Sequence, residues 1–418
     1  MPDRIILAEY RSRTVEGMPA GVARALAATG AVTAGRDMDG RVRLTASSMV
    51  GLVRAGDVEL VVQPKVGVGR LLWLLGHARN PSGWRDDDVT VGEEDDLVAG
   101  TAVAFAHRAG RALTGGILRG YRSVDEASPI LRGRLREADQ MRARLGVAMP
   151  LEVRYDDYTV DIPENRILAT AARRLLRLPG VPVATRAALH RIHVALSDVT
   201  PLVPGGRLPS TVTTRLTRRY EPALRLARLV LASRGIEVSA DPVVGRVAAS
   251  GLLFDMNAVY EDWLTAAFRG ALEGHGGAVD GQRVIRLDEA GKLATRPDIT
   301  WWRGPRCLAV TDAKYKAPAT TPIGDIYQVI AYCTALGLSD GHLVYAGGAS
   351  AMHTIRRAGI RVHVHVVDLA QTVPALVDQI DTLAAAIATQ TREAVFAPSR
   401  AATPPAAVGP VLVGADGR

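Results

Sequence analysis

The sequence predicts a multidomain protein of the α+β or α/β class, and three observations support this prediction. Apolar and polar residues alternate near the amino terminus, which is typical of half-buried strands. In the middle of the chain, apolar residues recur every three or four positions, which is typical of helices packed on a core. Nearer the carboxyl end the patterns run strand, strand, helix, strand, strand, which indicates a mixed sheet with helices on its faces. A chain of 418 residues is long enough for two or three domains.

These patterns divide the chain into four predicted parts. The alternation is clearest at 41–45 and 58–63, and the helical spacing is clearest at 98–119 and 164–178. The predicted parts are a mostly-β amino-terminal domain over 1–105, a helical middle region over 106–248, a mixed-sheet domain over 249–396, and a flexible tail rich in Ala, Pro and Gly over 397–418.

Composition narrows the class of protein. The net charge of +8 favours a polyanionic partner, although an arginine-rich composition alone can produce it. No uncharged run approaches the roughly 20 residues of a membrane span, so no membrane association is expected. Cys307 and Cys333 are too few for a disulfide framework, and we expect a cytoplasmic location. No Walker motif occurs, so the chain is not expected to bind a nucleotide by itself.

The segments 296–300 and 310–316 carry the most informative residues. Asp312 and Lys314 are two apart in a predicted strand, so their side chains point to one face, about 6–7 Å apart along the chain. Asp298, in the neighbouring segment, can converge on them. Two carboxylates suit Mg²⁺, which prefers oxygen ligands and keeps several waters. The pattern predicts a metal-dependent nuclease site in which the Lys314 ammonium stabilises developing charge.

The use of lysine supports this prediction. Of 51 Lys and Arg residues, four are lysines, namely Lys65, Lys292, Lys314 and Lys316. Two of these four fall within 312–316. Lysine is a compact point charge whose pKa shifts readily, which is a chemical reason to keep it at one place. The alternative explanation of the motif is a surface hairpin with ordinary charges. Lys316 and Arg296, next to the acidic residues, are candidate DNA-binding cations.

A helix is predicted to follow the second of these strands. Ile326, Val329 and Ile330 fall at helical spacing and form an apolar stripe. Gln328 and Tyr332 are four residues apart, so they share another face of the same helix. The remaining predicted elements are strands at 341–346 and 359–367 and a helix over about 368–394.

Three motifs together resemble the PD-(D/E)xK nuclease superfamily, in the branch that includes the RecB-type nucleases: Pro-Asp at 297–298, Asp-x-Lys at 312–314 and Gln-x-x-x-Tyr at 328–332. The resemblance implies a restriction-endonuclease-like sheet flanked by helices. It implies that the acidic pair Asp298 and Asp312 binds metal, that Lys314 supports catalysis, and that Gln328 and Tyr332 line the site. An acidic residue on a preceding helix is frequent in this branch, and Glu261 is the candidate third metal ligand. A solvated carboxylate on the helix surface is an equal alternative for Glu261.

Further segments resemble the McrC family, the nuclease subunits of McrBC-type modification-dependent restriction systems. These segments lie at 61–66, 131–135, 155–168 and 253–261 and extend the resemblance over residues 55 to 395. It implies an endonuclease that uses Mg²⁺, with Mn²⁺ as a substitute, on methylated or otherwise modified DNA. It also implies a partner, an McrB-like AAA+ GTPase ring, that recognises the DNA and is stimulated by this chain. The amino-terminal half, with the parts predicted at 1–105 and 106–248, would dock on that ring.

Arg132 and Arg134 flank a glycine in the segment 131–135. By the resemblance this segment belongs to the region that engages the GTPase, where an arginine could act on the partner's nucleotide. The alternative is a turn with two exposed arginines.

Two other functions remain open at the level of sequence. The chain could be an adaptor that activates the motor without cutting DNA, although the intact acidic residues and lysine argue against it. It could also be a free-standing RecB-like repair nuclease, which would cut DNA without any partner.

Overall fold

The computed structural model describes residues 3–79, 97–145, 147, 149–203, 206, 208–211, 214–238, 247 and 249–396. The tail predicted at 397–418 and residue 248, the last of the predicted middle region, lie outside these ranges. None of the helices in the described ranges is long and apolar enough to cross a membrane.

The amino-terminal part is built on a five-stranded sheet. Its strands are β1 (Asp3–Ala8), β5 (Met49–Ala55), β6 (Val58–Gln63), β10 (Arg234–Val238) and β11 (Ala249–Asp255). The spatial order is β1-β6-β5-β11-β10, with β1 parallel to β6 and the other neighbours antiparallel. Gly51 on β5 lies so close to β11 that a side-chain carbon there would be 2.1 Å from the Leu252 carbonyl oxygen. The β5–β11 pairing therefore depends on glycine at this position.

Smaller elements surround this sheet. They are a three-stranded sheet in the order β2-β4-β3 (β2 Ser12–Val15, β3 Val32–Arg36, β4 Val42–Ala46) and two helices, α1 (Ala20–Ala28) and α2 (Val68–Arg79). The strands predicted from alternation are found as β4 and β6. The two helices were not expected in a mostly-β domain, because both are short. Helix α1 packs on β3 and β5, whereas α2 packs mainly on α8 (Met256–Glu273).

The middle of the chain is helical, as predicted, at α3 (Leu97–Thr114), α5 (Pro163–Arg177), α6 (Val183–Ala195) and α7 (Glu221–Ala232). Pro163 occupies the first turn of α5, where its missing N–H removes no helical hydrogen bond. The apolar stripe of α5 buries Ile167, Leu168 and Leu175. These residues and the apolar faces of α3 and α7 join one hydrophobic cluster.

The middle region also contains a sheet that the helical prediction missed. Strand β7 (Gly120–Ser128) pairs along its whole length with β9 (Leu151–Thr159), and the short β8 (Arg134–Leu135) pairs with β9 before helix α4 (Glu137–Arg144). We call residues 120–159 the arm. Most residues of β7 are exposed, so its sequence lacks the apolar alternation that marks a strand with one buried face.

The carboxyl part contains a six-stranded mixed sheet in the order β12-β15-β16-β17-β19-β18. Strands β16, β17 and β19 run parallel and the other neighbours are antiparallel. The elements are α8 (Met256–Glu273), β12 (Ala278–Gly281), β13 (Ile285–Arg286), β14 (Ala294–Thr295), β15 (Ile299–Arg303), β16 (Arg306–Lys314), α9 (Ile323–Leu336), β17 (Asp340–Tyr345), β18 (Ala351–Thr354), β19 (Arg361–Val366) and α10 (Val373–Phe396). The predicted fold class, a mixed α and β multidomain protein with this sheet flanked by helices, is confirmed.

Helix α8 connects the two large sheets. The Asp255 side chain caps its first turn by accepting a hydrogen bond from the Asn257 N–H. Its buried face, which includes Tyr260 and Trp263, lies in the cluster that also contains the amino-terminal sheet and α10. A smaller cluster fills the other face of the mixed sheet, beneath α9. The predicted boundary at 248/249 separates β10 from β11 in sequence, whereas the two strands pair in one sheet.

A buried contact links the amino-terminal sheet to the mixed sheet. Glu9 follows β1 and is almost fully buried, and it accepts hydrogen bonds from the Lys65 N–H and the Tyr315 hydroxyl, both at 3.2 Å. Burial raises the pKa of Glu9 to about 7. Tyr315 directly follows β16, so the two parts of the chain meet one residue beyond Lys314.

Candidate active site

The central strand β16 carries the predicted acidic residue and lysine. It pairs with β15, and Ile299 lies opposite Thr311. Asp298, one residue before β15, is therefore brought beside the end of β16, where its Oδ2 accepts a hydrogen bond from the Ala313 N–H at 2.8 Å. The structure thus brings together Asp298, Asp312 and Lys314, which the sequence places fourteen and two residues apart.

The Asp312 carboxylate is the most deeply buried charged group of this site. The side chain is 1% exposed, and the Lys314 ammonium forms an ion pair with its Oδ2. Among the described residues, neither carboxylate oxygen accepts a hydrogen bond of acceptable geometry. A buried anion with unsatisfied oxygens is unfavourable unless a cation compensates it, and Lys314 faces only one side.

Helix α9 holds the lysine in place. The Lys314 ammonium donates to Gln328 Oε1 at 3.0 Å, and Gln328 Nε2 in turn lies 2.6 Å from the Tyr332 hydroxyl. Tyr332 is buried in the cluster under α9, so it anchors the chain of contacts. Gln328 and Tyr332 therefore lie on one face of α9, as predicted, and together they position the lysine ammonium.

Gln282 is a site residue that the sequence did not reveal. Its Nε2 donates to Asp298 Oδ1 at 3.1 Å and to Glu261 Oε1, so one amide bridges two candidate ligands. Gln282 follows β12 and has a φ of +54°, an uncommon conformation for a residue other than glycine. No motif marks this position. Only the pairing of β12 with β15, which sets Gly281 opposite Ile299, puts Gln282 beside Asp298.

The electrostatics of the three carboxylates favour a bound cation. Burial raises the pKa of Asp298 to about 8, with repulsion from Asp312 and Glu261 adding to the effect. Burial also raises the pKa values of Asp312 and Glu261. For Lys314, burial lowers the pKa, but attraction to Asp312 more than offsets it and the net shift is upward. The lysine therefore stays charged.

The donor set fits a hard divalent cation held by two carboxylates. Among the described residues, no three His, Cys, Asp or Glu side chains are arranged to hold one ion together. Asp298 and Asp312 form a pair, and Glu261 is separated from Asp298 by the Gln282 amide. Mg²⁺ commonly takes one or two carboxylates and completes its shell with water. Asp312 Oδ1, which has no hydrogen-bond partner in the described part of the chain, offers such an ion a binding position.

The two candidate DNA-binding cations differ in their surroundings. Lys316 pairs with Asp325 Oδ2 at 2.7 Å and lies 5.9 Å from the centre of the Tyr345 ring, so its charge is largely compensated. Arg296 is exposed, and within the described ranges no ion pair involves it.

The two candidate partner-binding arginines lie on the arm and also differ. Arg132 forms an ion pair with Asp157 at 3.7 Å and stacks 4.0 Å over the Tyr155 ring. Arg134 is exposed, lines an open groove, and has no ion pair in the described part of the chain. Gly133 between them has a φ of +70°, and a side-chain carbon there would be 2.3 Å from the Arg154 carbonyl oxygen. The segment thus requires glycine to hold both arginines outward.

Comparisons with known proteins give one family model and similar solved structures. The family model described as McrBC 5-methylcytosine restriction system component matches residues 44–346. A chain of the refined half-complex from the tetradecameric assembly of Thermococcus gammatolerans McrB AAA+ hexamers with bound McrC matches with a TM-score of 0.59 and 16% identity. This match covers 92% of the present chain and 100% of the other. At this identity the likeness concerns the fold.

A second solved structure, the cryo-EM structure of the Thermococcus gammatolerans McrBC complex, matches with a TM-score of 0.37 and 18% identity. It covers 63% of the present chain and 86% of the other. No curated protein matches the sequence significantly.

Proposed function

Since the chain belongs to the McrBC 5-methylcytosine restriction system component family, we propose that it is the Mg²⁺-dependent endonuclease subunit of such a system. The observation that carries the proposal is the deeply buried Asp312 carboxylate beside Asp298, with the Lys314 ammonium held against it by Gln328. An adaptor that never cuts DNA would have no use for this arrangement of buried charges, which is unfavourable for folding unless compensated.

Each residue has a role in phosphodiester hydrolysis. Asp298 and Asp312 would hold the ion, and Glu261 would join them where the Gln282 amide gives way. Bound Mg²⁺ supplies positive charge at the phosphate and lowers the pKa of a bound water. The Lys314 ammonium orients the attacking water and donates hydrogen bonds to the phosphoryl oxygen that gains charge. Gln328 and Tyr332 limit the freedom of the ammonium, which keeps it at one position during the reaction.

We further propose that the arm docks on an AAA+ GTPase ring. In the Thermococcus gammatolerans assembly, McrC is bound to McrB AAA+ hexamers. The arm of the present chain leaves a group of large apolar side chains exposed, which is typical of an interaction surface. They are Tyr121, Ile130, Leu131, Met141, Leu145, Met149 and Tyr158. Recognition of methylated or otherwise modified DNA then falls to the ring, and docking stimulates its GTPase. This division of labour requires a shared compartment, the cytoplasm.

The proposal is tested by DNA cleavage with purified protein and Mg²⁺ or Mn²⁺. Wild type, Asp312→Asn and Asp312→Ala are compared, with and without the GTPase encoded nearest to the chain and GTP, on methylated and unmethylated duplexes. Asp37→Asn, in a turn of the small amino-terminal sheet, is the matched control. We expect DNA to be cleaved only when Asp312 is intact and when the partner, GTP and the DNA modification are all present.

Other outcomes would replace the proposal. Cutting that needs Asp312 but neither partner nor modification would indicate a free-standing repair nuclease. GTPase stimulation by wild type and both Asp312 variants, with no cutting by any of them, would indicate an adaptor.

A further inference from the structure

The segment between Gln282 and Asp298 forms a hairpin that the catalytic proposal does not use. Strands β13 and β14 pair with Ile285 opposite Thr295 and Arg286 opposite Ala294. We call residues 283–296 the site hairpin, because it leaves the sheet directly after Gln282 and returns just before Asp298. Its tip is well formed: the Leu287 N–H donates to the Leu293 carbonyl at 2.9 Å.

The turn of the site hairpin is fixed by its own residues. The Asp288 carboxylate accepts the Leu293 N–H at 2.6 Å, and the Gly291 N–H donates to the Asp288 carbonyl at 3.0 Å. Gly291 has a φ of +66°, which favours glycine. The hairpin therefore presents its side chains on a defined framework. Backbone groups engage the Asp288 carboxylate, whereas Glu289 in the turn is exposed.

One face of the site hairpin is apolar at its tip, whereas at its base Thr295 lies opposite the apolar Ile285. Side chains alternate between the two faces of a strand, so Ile285 and Leu287 share a face with Leu293. Ile285 is buried at the base, whereas Leu287 is 41% and Leu293 is 61% exposed. The two leucines lie opposite each other at the tip and no described part of the chain covers them. Such a pair is typical of a wedge that enters a nucleic-acid groove.

The opposite face is basic. Arg286, Lys292 and Arg296 are exposed and, within the described residues, none of them forms an ion pair, although Arg286 is near enough to Asp288 to lower the pKa of that carboxyl. Lys316, on the other side of the site, is by contrast paired with Asp325. Exposed cations without ion pairs in the described residues, next to the candidate active site, suit the phosphates of a nucleic-acid backbone.

We propose that the site hairpin is a duplex-DNA-binding element. Its basic face binds phosphates on either side of the scissile bond, and Leu287 and Leu293 pack against sugars and base edges in the groove. Since both ends of the hairpin are fixed at the carboxylates, DNA held by it lies against Asp298 and Asp312. This inference rests on the proposed nuclease function, because it needs DNA as the substrate.

The test measures binding of the full chain, without the GTPase because the ring is proposed to bind DNA itself, to a fluorescein-labelled 30-base-pair duplex in EDTA, by anisotropy over a range of salt concentrations. The charge variant is Arg286→Ala with Lys292→Ala, and the apolar variant is Leu287→Ser with Leu293→Ser. Arg306→Ala, an exposed arginine at the far end of β16, is the matched control. Thermal unfolding confirms that each variant is folded.

We expect the charge variant to bind DNA about tenfold more weakly and to show a shallower dependence on salt, by about 0.9 in the logarithmic slope for each phosphate that the variant no longer neutralises. The apolar variant should bind more weakly with an unchanged slope, and Arg306→Ala should bind like wild type. Wild-type affinity and slope in both variants, with DNA still cut by wild type, would overturn the hairpin inference alone. Wild type that neither binds DNA alone nor cuts it with the GTPase and GTP would overturn the proposed function as well. Loss of GTPase stimulation with unchanged DNA binding would assign the hairpin to a protein partner instead.

Discussion

At the scale of single residues, the choice of lysine at position 314 has a direct consequence. Its ammonium fits between the Asp312 carboxylate and Gln328 Oε1. A planar guanidinium is larger and cannot occupy that point without displacing one of them. We expect Lys314→Arg to lower the cleavage rate on the order of 100-fold, the effect of removing one transition-state donor, with little change in thermal stability. The measurement is the single-turnover cleavage rate of the assembled complex.

The control for this prediction is Lys65→Arg, since the Lys65 ammonium lies over the Tyr10 ring rather than against Asp312, and a guanidinium can stack there equally well. Cleavage by Lys314→Arg at the wild-type rate would contradict the role given to the ammonium.

Gln282 gives a second prediction at this scale. Its amide nitrogen lies within hydrogen-bonding distance of both Glu261 and Asp298, where an ion shared by these carboxylates would be held. Removing the amide leaves the two negative charges uncompensated and removes a competitor. We expect Gln282→Ala to bind Mn²⁺ about tenfold more tightly, because hydrogen bonds to charged groups contribute about 1.5–3 kcal/mol. Calorimetric titration of the full chain measures the affinity.

Gln371→Ala is the control for the metal titration, because its amide bonds Asp368, on the loop before α10. Unchanged or weaker Mn²⁺ binding by Gln282→Ala would show that the bridge organises the ligands rather than competes with the ion.

A third residue-scale prediction concerns histidines of the mixed sheet. His342, on β17, is buried and its Nδ1 lies 3.1 Å from His365 Nε2 on β19; His363 Nε2 lies 2.7 Å from Asp340 Oδ1. Burial lowers the pKa of His365 to about 4 and that of His342 well below its ordinary value. Both stay neutral when folded and are protonated when unfolded below about pH 6.5. Their contribution to stability is therefore present above pH 6.5 and lost as the pH falls toward 4.

The measurement is the free energy of unfolding in urea at pH 7 and pH 5, for wild type and His365→Gln. Because Glu9 and Asp298, with raised pKa values, act in the opposite direction, the informative quantity is the difference between the two proteins. We expect wild type to lose roughly 2 kcal/mol relative to the variant between these pH values. An equal pH dependence of the two proteins would contradict the prediction.

At the scale of elements, the helices and strands that could be predicted from the sequence are those with one buried face, because burial gives them a regular apolar pattern. The predicted order of strand, strand, helix, strand and strand corresponds to β15, β16, α9, β17 and β19. Strand β18 was missed because all four of its residues are exposed at the edge of the sheet. The arm was missed for the same reason, since β7 and β9 are stabilised mainly by pairing with each other. The spacing of apolar residues along the sequence reveals a helix or strand only where one face of that element is buried.

The arm yields a prediction that separates its two arginines. Arg134 is exposed without an ion pair in the described ranges, whereas Arg132 is engaged by Asp157 and the Tyr155 ring. We expect Arg134→Ala to lower stimulation of the partner GTPase at least tenfold, which is the effect of removing an arginine that acts on a partner's nucleotide. DNA cleavage should fall only because the partner hydrolyses GTP more slowly. GTP turnover by the mixed proteins is the readout.

Arg132→Ala is the matched comparison for GTP turnover, and its effect should be smaller. Full stimulation by Arg134→Ala would mean that this arginine does not act on the GTPase.

At the scale of the whole molecule, membership in the McrBC family and the mixed fold, both predicted from the sequence, are confirmed. The site was predictable where motifs record it. Asp312 and Lys314 lie on β16, Asp298 directly precedes the neighbouring β15, and Gln328 and Tyr332 lie on α9 beside them. Gln282 was not predictable, because its place depends on the register of β12 against β15, and no local pattern encodes that register.

The shared core leads to a prediction about stability. Trp263 on α8 is 1% exposed and packs against Trp73 of α2 and against Tyr260. We expect Trp263→Ala to lower the free energy of unfolding by about 3–5 kcal/mol, because removing the indole ring leaves a cavity where α2 and α8 meet in the shared core. Urea denaturation followed by circular dichroism measures it. Tyr327→Ala, an exposed position on α9, should change stability by less than about 0.5 kcal/mol.

The pairing of β11 with β5 bears on how such proteins can be recombined. The strand that opens the carboxyl part completes a sheet whose other members come from residues 3–63 and 234–238. In a chimera joined at residue 249, β11 from one parent would pair with β5 from the other. The close approach at Gly51 leaves no room for any other residue at that position. Exchanging the carboxyl half between relatives therefore requires all five strands of this sheet, β1, β5, β6, β10 and β11, to be moved as one unit. A seam placed between β10 and β11 would divide a single sheet between two parents.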